Sequence, residues 1–217
     1  MQKIFAPGCA LMLYKPHLAE KLHTVLNENV GQMDVLETCC RHEPQLHVKT
    51  EVINICPGCD KRYRNNYEIT STISLWEILA YNDFFPFPDY KGKVMSIIDA
   101  CPTRDQERIH SAIRILLKKM NIELIEPEHT KTKSTCCGDS FFGEISTEKV
   151  MKQMAKRTAE MPVDDVVVYC VSCSKSVFIG DKKPHYMIDL LYGETTIPGT
   201  FEPDKWHAEI DEYIENH

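Results

Sequence analysis

Ten cysteines fall in the same order twice along this chain, and that order constrains the fold more than any other feature. The first five are Cys9, the adjacent pair Cys39-Cys40, and Cys56-Pro57-Gly58-Cys59. The second five are Cys101, the adjacent pair Cys136-Cys137, and Cys170-Val171-Ser172-Cys173. Each set is one single cysteine, one pair and one C-x-x-C, with none left over. Adjacent cysteines make a poor disulfide with each other, because neighbouring Cα atoms lie only about 3.8 Å apart, short of the ~4.4–6.8 Å a relaxed bridge prefers. The repeat therefore describes a thiol-rich unit used twice.

The flanks repeat as well. Lys3–Ala6 and Val94–Ile98 read as strands leading into the lone cysteines, and Val52–Ile55 and Val166–Tyr169 read as strands leading into the C-x-x-C motifs. Helices are predicted at Pro16–Asn29, along the face Ile109, Ile113, Leu116, Leu117 and Met120, and over Ser146–Met161, with Ser146 available as an N-cap. Thr103 to Gln106 has capping-box spacing, and Lys118 and Lys119 suit a helix C-terminus. Alternating strands and helices predict an α/β fold of two pseudo-repeated halves, each with a mainly parallel sheet flanked by helices. The ligand-bearing cysteines then belong beyond the carboxyl ends of the strands.

The boundary is expected in Tyr81–Tyr90, a packed connector with two prolines and five aromatics, giving a shortened first repeat at 1–85 and a second at 92–217. Residues 203–214 read as an amphipathic helix with Trp206, Ile210 and Ile214 on one side, in a core or partner-facing role. With 43% hydrophobic and 26% charged residues the chain is an ordinary globular one. A net charge of −7 argues against nucleic-acid binding. No signal pattern and no apolar run of membrane-spanning length is present, so a cytoplasmic protein without a membrane span is expected. In that reducing setting cysteines serve metal binding or redox chemistry rather than a disulfide framework.

Thiolates select zinc and iron–sulfur groups. Four satisfy tetrahedral zinc or an ordinary cubane cluster, so five per half is one more than either needs. Vicinal thiolates reach two different irons, or share one, as an irregular cluster would require. For the first half two rivals stay open: Cys56-Pro57-Gly58-Cys59 also has the form of a thioredoxin-type dithiol or of half a zinc ribbon.

The second half, with Cys101, Cys136-Cys137-Gly138 and Cys170-Val171-Ser172-Cys173 separated by gaps of 34 and 32 residues, closely resembles the cysteine-rich CCG domain. That domain occurs in tandem in the B-type subunit of heterodisulfide reductase and in related (Fe-S)-binding oxidoreductases. Asp99-Ala100-Cys101-Pro102 and His185–Gly193 are similar to the same family. The resemblance implies a noncubane [4Fe-4S] cluster on Cys101, Cys136, Cys137, Cys170 and Cys173, and a second on Cys9, Cys39, Cys40, Cys56 and Cys59. It implies disulfide or thiol redox chemistry on a small substrate.

The first half departs from this pattern. Arg41 stands where the glycine would be, 29 residues separate Cys9 from Cys39, and only 15 separate Cys40 from Cys56, which leaves no room for a helix there. Zinc is an alternative in this half, and Arg41, His42 and His47 are weak site candidates. The chain has no ferredoxin cysteine run, no G-x-G-x-x-G and no Walker sequence, so electrons are expected from an iron–sulfur or ferredoxin-type partner protein. Disulfide-reductase chemistry is the leading expectation. An electron-transfer or assembly module without turnover, and a zinc-binding structural protein, are the alternatives.

Overall fold

The computed structural model describes residues 1–39, 42–199 and 201–217. The chain divides into two compact units, Met1–Phe85 with Glu209–His217, and Pro86–Ala208. The first runs β1 (Gln2–Ala6), α1 (Cys9–Tyr14), α2 (Pro16–Asn29), β2 (Asp34–Val35), β3 (Thr50–Asn54), α3 (Pro57–Asn66), β4 (Thr70–Ser74) and α4 (Leu75–Ala80). The second runs β5 (Lys93–Ile98), α5 (Glu107–Lys119), β6 (Ile122–Leu124), α6 (Thr147–Ala159), β7 (Asp165–Val168), α7 (Val171–Ile179), β8 (Lys183–Tyr186) and α8 (Met187–Tyr192). A last helix, α9 (Pro203–Asn216), begins in the second unit and ends in the first.

Each unit has a four-stranded parallel sheet, ordered β2-β1-β3-β4 in one and β6-β5-β7-β8 in the other. The two orders are the same, so the cysteine repeat is a repeat of architecture. The α/β fold in two halves, each a parallel sheet with helices, is the one the alternating pattern predicts. Apolar runs make the central strands. Val166, Val167 and Val168 of β7 are fully buried, as are Val52 and Ile53 of β3, because helices cover both faces of a parallel sheet. In α5, Ile109, Ile113, Leu116 and Leu117 all face inward, while Lys118 and Lys119 lie in the last turn where the helix carbonyls favour cations.

Two local expectations change. Thr103 does not cap α5, which starts at Glu107 with Gln106 at its N-cap position. Thr103 sits instead in a 3-10 turn, Cys101–Thr103, wholly buried, and its hydroxyl donates to the carbonyl of Ala100 at 2.8 Å. A buried hydroxyl must be satisfied, and here the Ala100 carbonyl, the Tyr169 hydroxyl at 2.9 Å and His110 Nε2 at 3.1 Å do so. Ser146 does hold the N-cap position of α6, but its side chain makes no capping bond.

The short 42–49 stretch contains no helix, in keeping with the 15-residue gap. None of the described helices is long and apolar enough to cross a membrane. In both sheets the winding direction reverses between the two central strands, β1 and β3 in the first, β5 and β7 in the second. Loops leaving those two strands diverge to opposite sides and open a crevice at the carboxyl ends, the usual place for a site in such sheets.

Candidate metal centre

In the second unit every cysteine lies at that carboxyl edge. Cys101 opens the 3-10 turn after β5, and Cys136-Cys137 lie in the long loop between β6 and α6. Cys170 takes the N-cap position of α7 directly after β7, and Cys173 falls in its first turn. The thiols meet in one run. Cys101 is hydrogen-bonded to Cys136, Cys136 to Cys137, Cys137 to Cys173, and Cys173 to Cys170. Cys137 and Cys173 are buried, and the other three are half-buried.

Hydrogen bonding sets the protonation along the run. Cys136 lies far below the ordinary thiol range because the Cys101 and Cys137 thiols, the Ser140 hydroxyl at 2.9 Å and the Gly138 N–H at 3.3 Å all point at its sulfur. Cys101 is correspondingly pushed up by donating to Cys136, and burial adds to it. Cys137 is raised by its bond to Cys136. Cys170 is lowered by Cys173, which is itself raised by its bonds to Cys137 and Cys170. Two positions, Cys136 and Cys170, thus favour the thiolate, while Cys101, Cys137 and Cys173 are held as donors to their neighbours.

Gly138 makes the paired loop feasible. Its φ is +111°, a conformation that L side chains rarely adopt, and an added Cβ would come within 2.6 Å of Met154 Cγ and 2.8 Å of Met154 N. The close neighbour is α6, so glycine lets the pair's loop lie tight against that helix.

Beneath the thiols, Asp99 ties the cysteine-bearing loops together. It is fully buried, and its carboxylate accepts from Arg114, from the Tyr169 hydroxyl at 3.1 Å and from the Lys131 N–H at 2.7 Å. Its own carbonyl accepts from the Ser134 hydroxyl at 2.7 Å. Tyr169 precedes Cys170, Ser134 precedes the pair by two residues, and Asp99 precedes Cys101 by two. Sequence reasoning did not name Asp99, Arg114 or Tyr169 as site residues. The Asp99-Ala100-Cys101-Pro102 segment was the one signal that pointed toward them.

The first unit presents a different picture. Cys39 and Cys59 are joined as a disulfide. Cys56 takes the N-cap position of α3, and Gly8, at φ +88°, packs so closely that a Cβ would meet Cys56 Cβ at 2.9 Å and Cys59 Sγ at 3.5 Å. Cys9, which starts α1, is buried. Cys9, Cys39, Cys56 and Cys59 are thus placed by the loops after β1, β2 and β3, as in the second unit. Cys40 and Arg41 lie outside the described residues. Of the weak candidates, His42 bonds through Nε2 to the Ile214 carbonyl at 2.9 Å, and His47 is exposed.

Among the described residues no three His, Cys, Asp or Glu side chains converge on a point that would hold a single metal ion. The second-unit thiols are linked in sequence, Cys101 to Cys136 to Cys137 to Cys173 to Cys170, and they number one more than a tetrahedral ion takes. Such a donor set fits a group with several metal atoms better than one tetrahedral ion.

Residues 95–177 match the family described as CCG, the cysteine-rich domain. The match runs from β5 into α7 and takes in all five second-unit cysteines. No curated protein matches the chain. Among solved structures, Picrophilus torridus aspartate racemase aligns over 98% of this chain and 94% of its own, at 9% identity and a TM-score of 0.34.

Proposed function

We propose that this chain is an iron–sulfur redox module whose second unit binds a cluster through Cys101, Cys136, Cys137, Cys170 and Cys173. The observation that carries the reading is the single run of five thiols, drawn from three separate loops at the crevice between β5 and β7. The CCG match over the same residues supports a metal or iron–sulfur role. On this reading the group is a noncubane [4Fe-4S] cluster, which when bound supplies single electrons to sulfur. The protein's part is to supply five soft donors, to bury them, and to hold the loops in register through Asp99.

The substrate would be a small thiol or disulfide, with electrons from a ferredoxin-type partner protein, in the manner of heterodisulfide reductase and in the cytoplasm. Cys136 borders a small cavity of about 190 Å³ lined by Thr135, Phe141, Gln153 and Lys156, which offers that substrate an approach. In the first unit, Cys9, Cys39, Cys40, Cys56 and Cys59 would take a second cluster once the Cys39–Cys59 bond is reduced. Two thiols that lie close enough to bond also lie close enough to share one metal group.

Anaerobic purification with iron, zinc and acid-labile sulfide counts tests the reading. Iron and sulfide in comparable amounts are expected, and Cys136→Ser should remove or alter one cluster's spectrum while sparing the other. A colourless, iron-free, zinc-loaded protein refutes it.

A further inference from the structure

The two cysteine loops of the second unit are gripped from outside by two consecutive residues of α9. Trp206 is buried, and its indole N–H donates to the Ser172 hydroxyl at 3.0 Å, inside the Cys170-Val171-Ser172-Cys173 motif. Its ring lies 4.0 Å from Lys175 Nζ, nearly one turn further along α7, and that buried ammonium is also held by the Pro198 carbonyl at 2.5 Å. His207 reaches the other loop. Its Nε2 bonds to Asp139 Oδ1 at 3.1 Å, two residues after Cys137, and its ring stacks on Phe142 at 3.9 Å. One backbone step thus spans the C-x-x-C turn and the paired-cysteine loop.

We propose that Trp206 and His207 are positioning residues, a two-residue staple that sets the separation between Cys137 and Cys173 and keeps the thiol run closed. Three physical points support it. An indole N–H is a donor only, so the Trp206–Ser172 bond fixes which way the ring faces. A cation over an aromatic face is worth most when desolvated, and Lys175 is buried. Stacking plus a hydrogen bond leaves the His207 ring little freedom, so Asp139 is held on its loop side. The Cys137–Cys173 contact is the single link between the two loops in the thiol run, and it is the link this staple brackets. The proposal rests on the cluster reading only where iron is measured.

The test uses the full chain, reduced and metal-free, with timed iodoacetamide alkylation of each cysteine followed by mass spectrometry. Trp206→Phe keeps the ring and loses the bond to Ser172, and Ser172→Ala loses the same bond from the other side. Each should speed alkylation of Cys170 and Cys173 about fivefold, the effect of one net hydrogen bond on a local opening. The double variant should be no faster than either single one. His207→Ala should instead speed Cys136 and Cys137, and His207→Phe, which keeps the stack, should recover part of the protection. Melting temperatures should stay close to that of the unaltered chain. Wild-type labelling rates in folded Trp206→Phe and Ser172→Ala would overturn the proposal, as would additive effects, or a uniform rise at every cysteine with a falling melting temperature. Chelator-driven iron loss from the reconstituted protein gives the same comparison when metal is bound. A chain that takes up no iron refutes the proposed function, and the alkylation rates still decide the staple.

Discussion

Arg114 grips Asp99 with both terminal nitrogens, Nη1 to Oδ1 at 2.6 Å and Nη2 to Oδ2 at 2.8 Å, and the carboxylate it holds is fully buried. Arg114 also binds Glu126 at 2.8 Å, and Thr130 donates to Asp99 at 2.9 Å. The pair contains no sulfur, so its stabilising effect can be read without metal. Arg114→Met leaves a buried charge without its partner and should cost about 3–5 kcal/mol, read by urea denaturation of the metal-free chain.

The same pair sets the acid limb of stability. Burial alone would raise the Asp99 carboxyl, yet the hydrogen bonds and charge of Arg114 bring it from the ordinary 3.8 down to about 2. The unfolded chain therefore binds the proton first as pH falls. The contribution is complete above about pH 4 and fades as pH drops through 2, and by linkage it amounts to roughly 2 kcal/mol. Denaturation midpoints between pH 5 and 2 should show this loss, and Asp99→Asn should not.

Two histidines add a gentler slope at higher pH. Burial lowers His110 and His185 below the ordinary 6.5, with His185 held partly by Asp165 at 2.6 Å. A base whose folded value is depressed resists protonation in the native state, so stability is full above about pH 6.5 and declines as pH falls below it. His110→Gln should flatten the fall in melting temperature measured from pH 7.5 to 5.5.

Gly138 and Gly92 make a matched pair of backbone tests. Both have positive φ, +111° and +75°, but a Cβ at Gly92 meets nothing within 4 Å, whereas one at Gly138 meets both backbone and side chain of Met154. Gly92→Ala should cost about 1 kcal/mol, the strain of the conformation alone. Gly138→Ala should cost at least about 2–3 kcal/mol, because the backbone of α6 must move as well. Chemical denaturation distinguishes them.

The Cys39–Cys59 bond predicts a chemical signature. Aerobically prepared protein should give a cross-linked peptide pair, and reduction should raise the thiol titre by two. If these cysteines become ligands, iron loading should abolish the cross-link.

The cysteine order made the central strands, the main helices and the carboxyl-edge location readable, because buried parallel strands are continuous apolar runs that end in the thiols. The edge strands were not readable. β2 has two residues and β6 three, and β4 reads Thr-Ser-Thr-Ile-Ser, too polar to stand out. β8 contains Pro184. The Lys183 N–H is directed to Asp164 in the neighbouring connection, so alternation turns the Pro184 nitrogen outward, where a missing donor does no harm. Asp99 and Arg114 are 15 residues apart with no periodic relation, and only the closing of β5 against α5 joins them. The disulfide was unreadable for a similar reason: its partners come from different loops, 20 residues apart.

The switch-point arrangement dictates an order of events. Cys101, Cys136 and Cys170 are separated by more than thirty residues at each interval, and they meet only after β7 has docked beside β5. Loop closure over such distances comes late in folding. A nascent chain therefore offers scattered thiols and no receptacle, and the receptacle appears as a product of completed folding. Whatever fills it must arrive after the chain has folded, and until then the Asp99–Arg114 pair has to keep an oxidation-prone nest in shape.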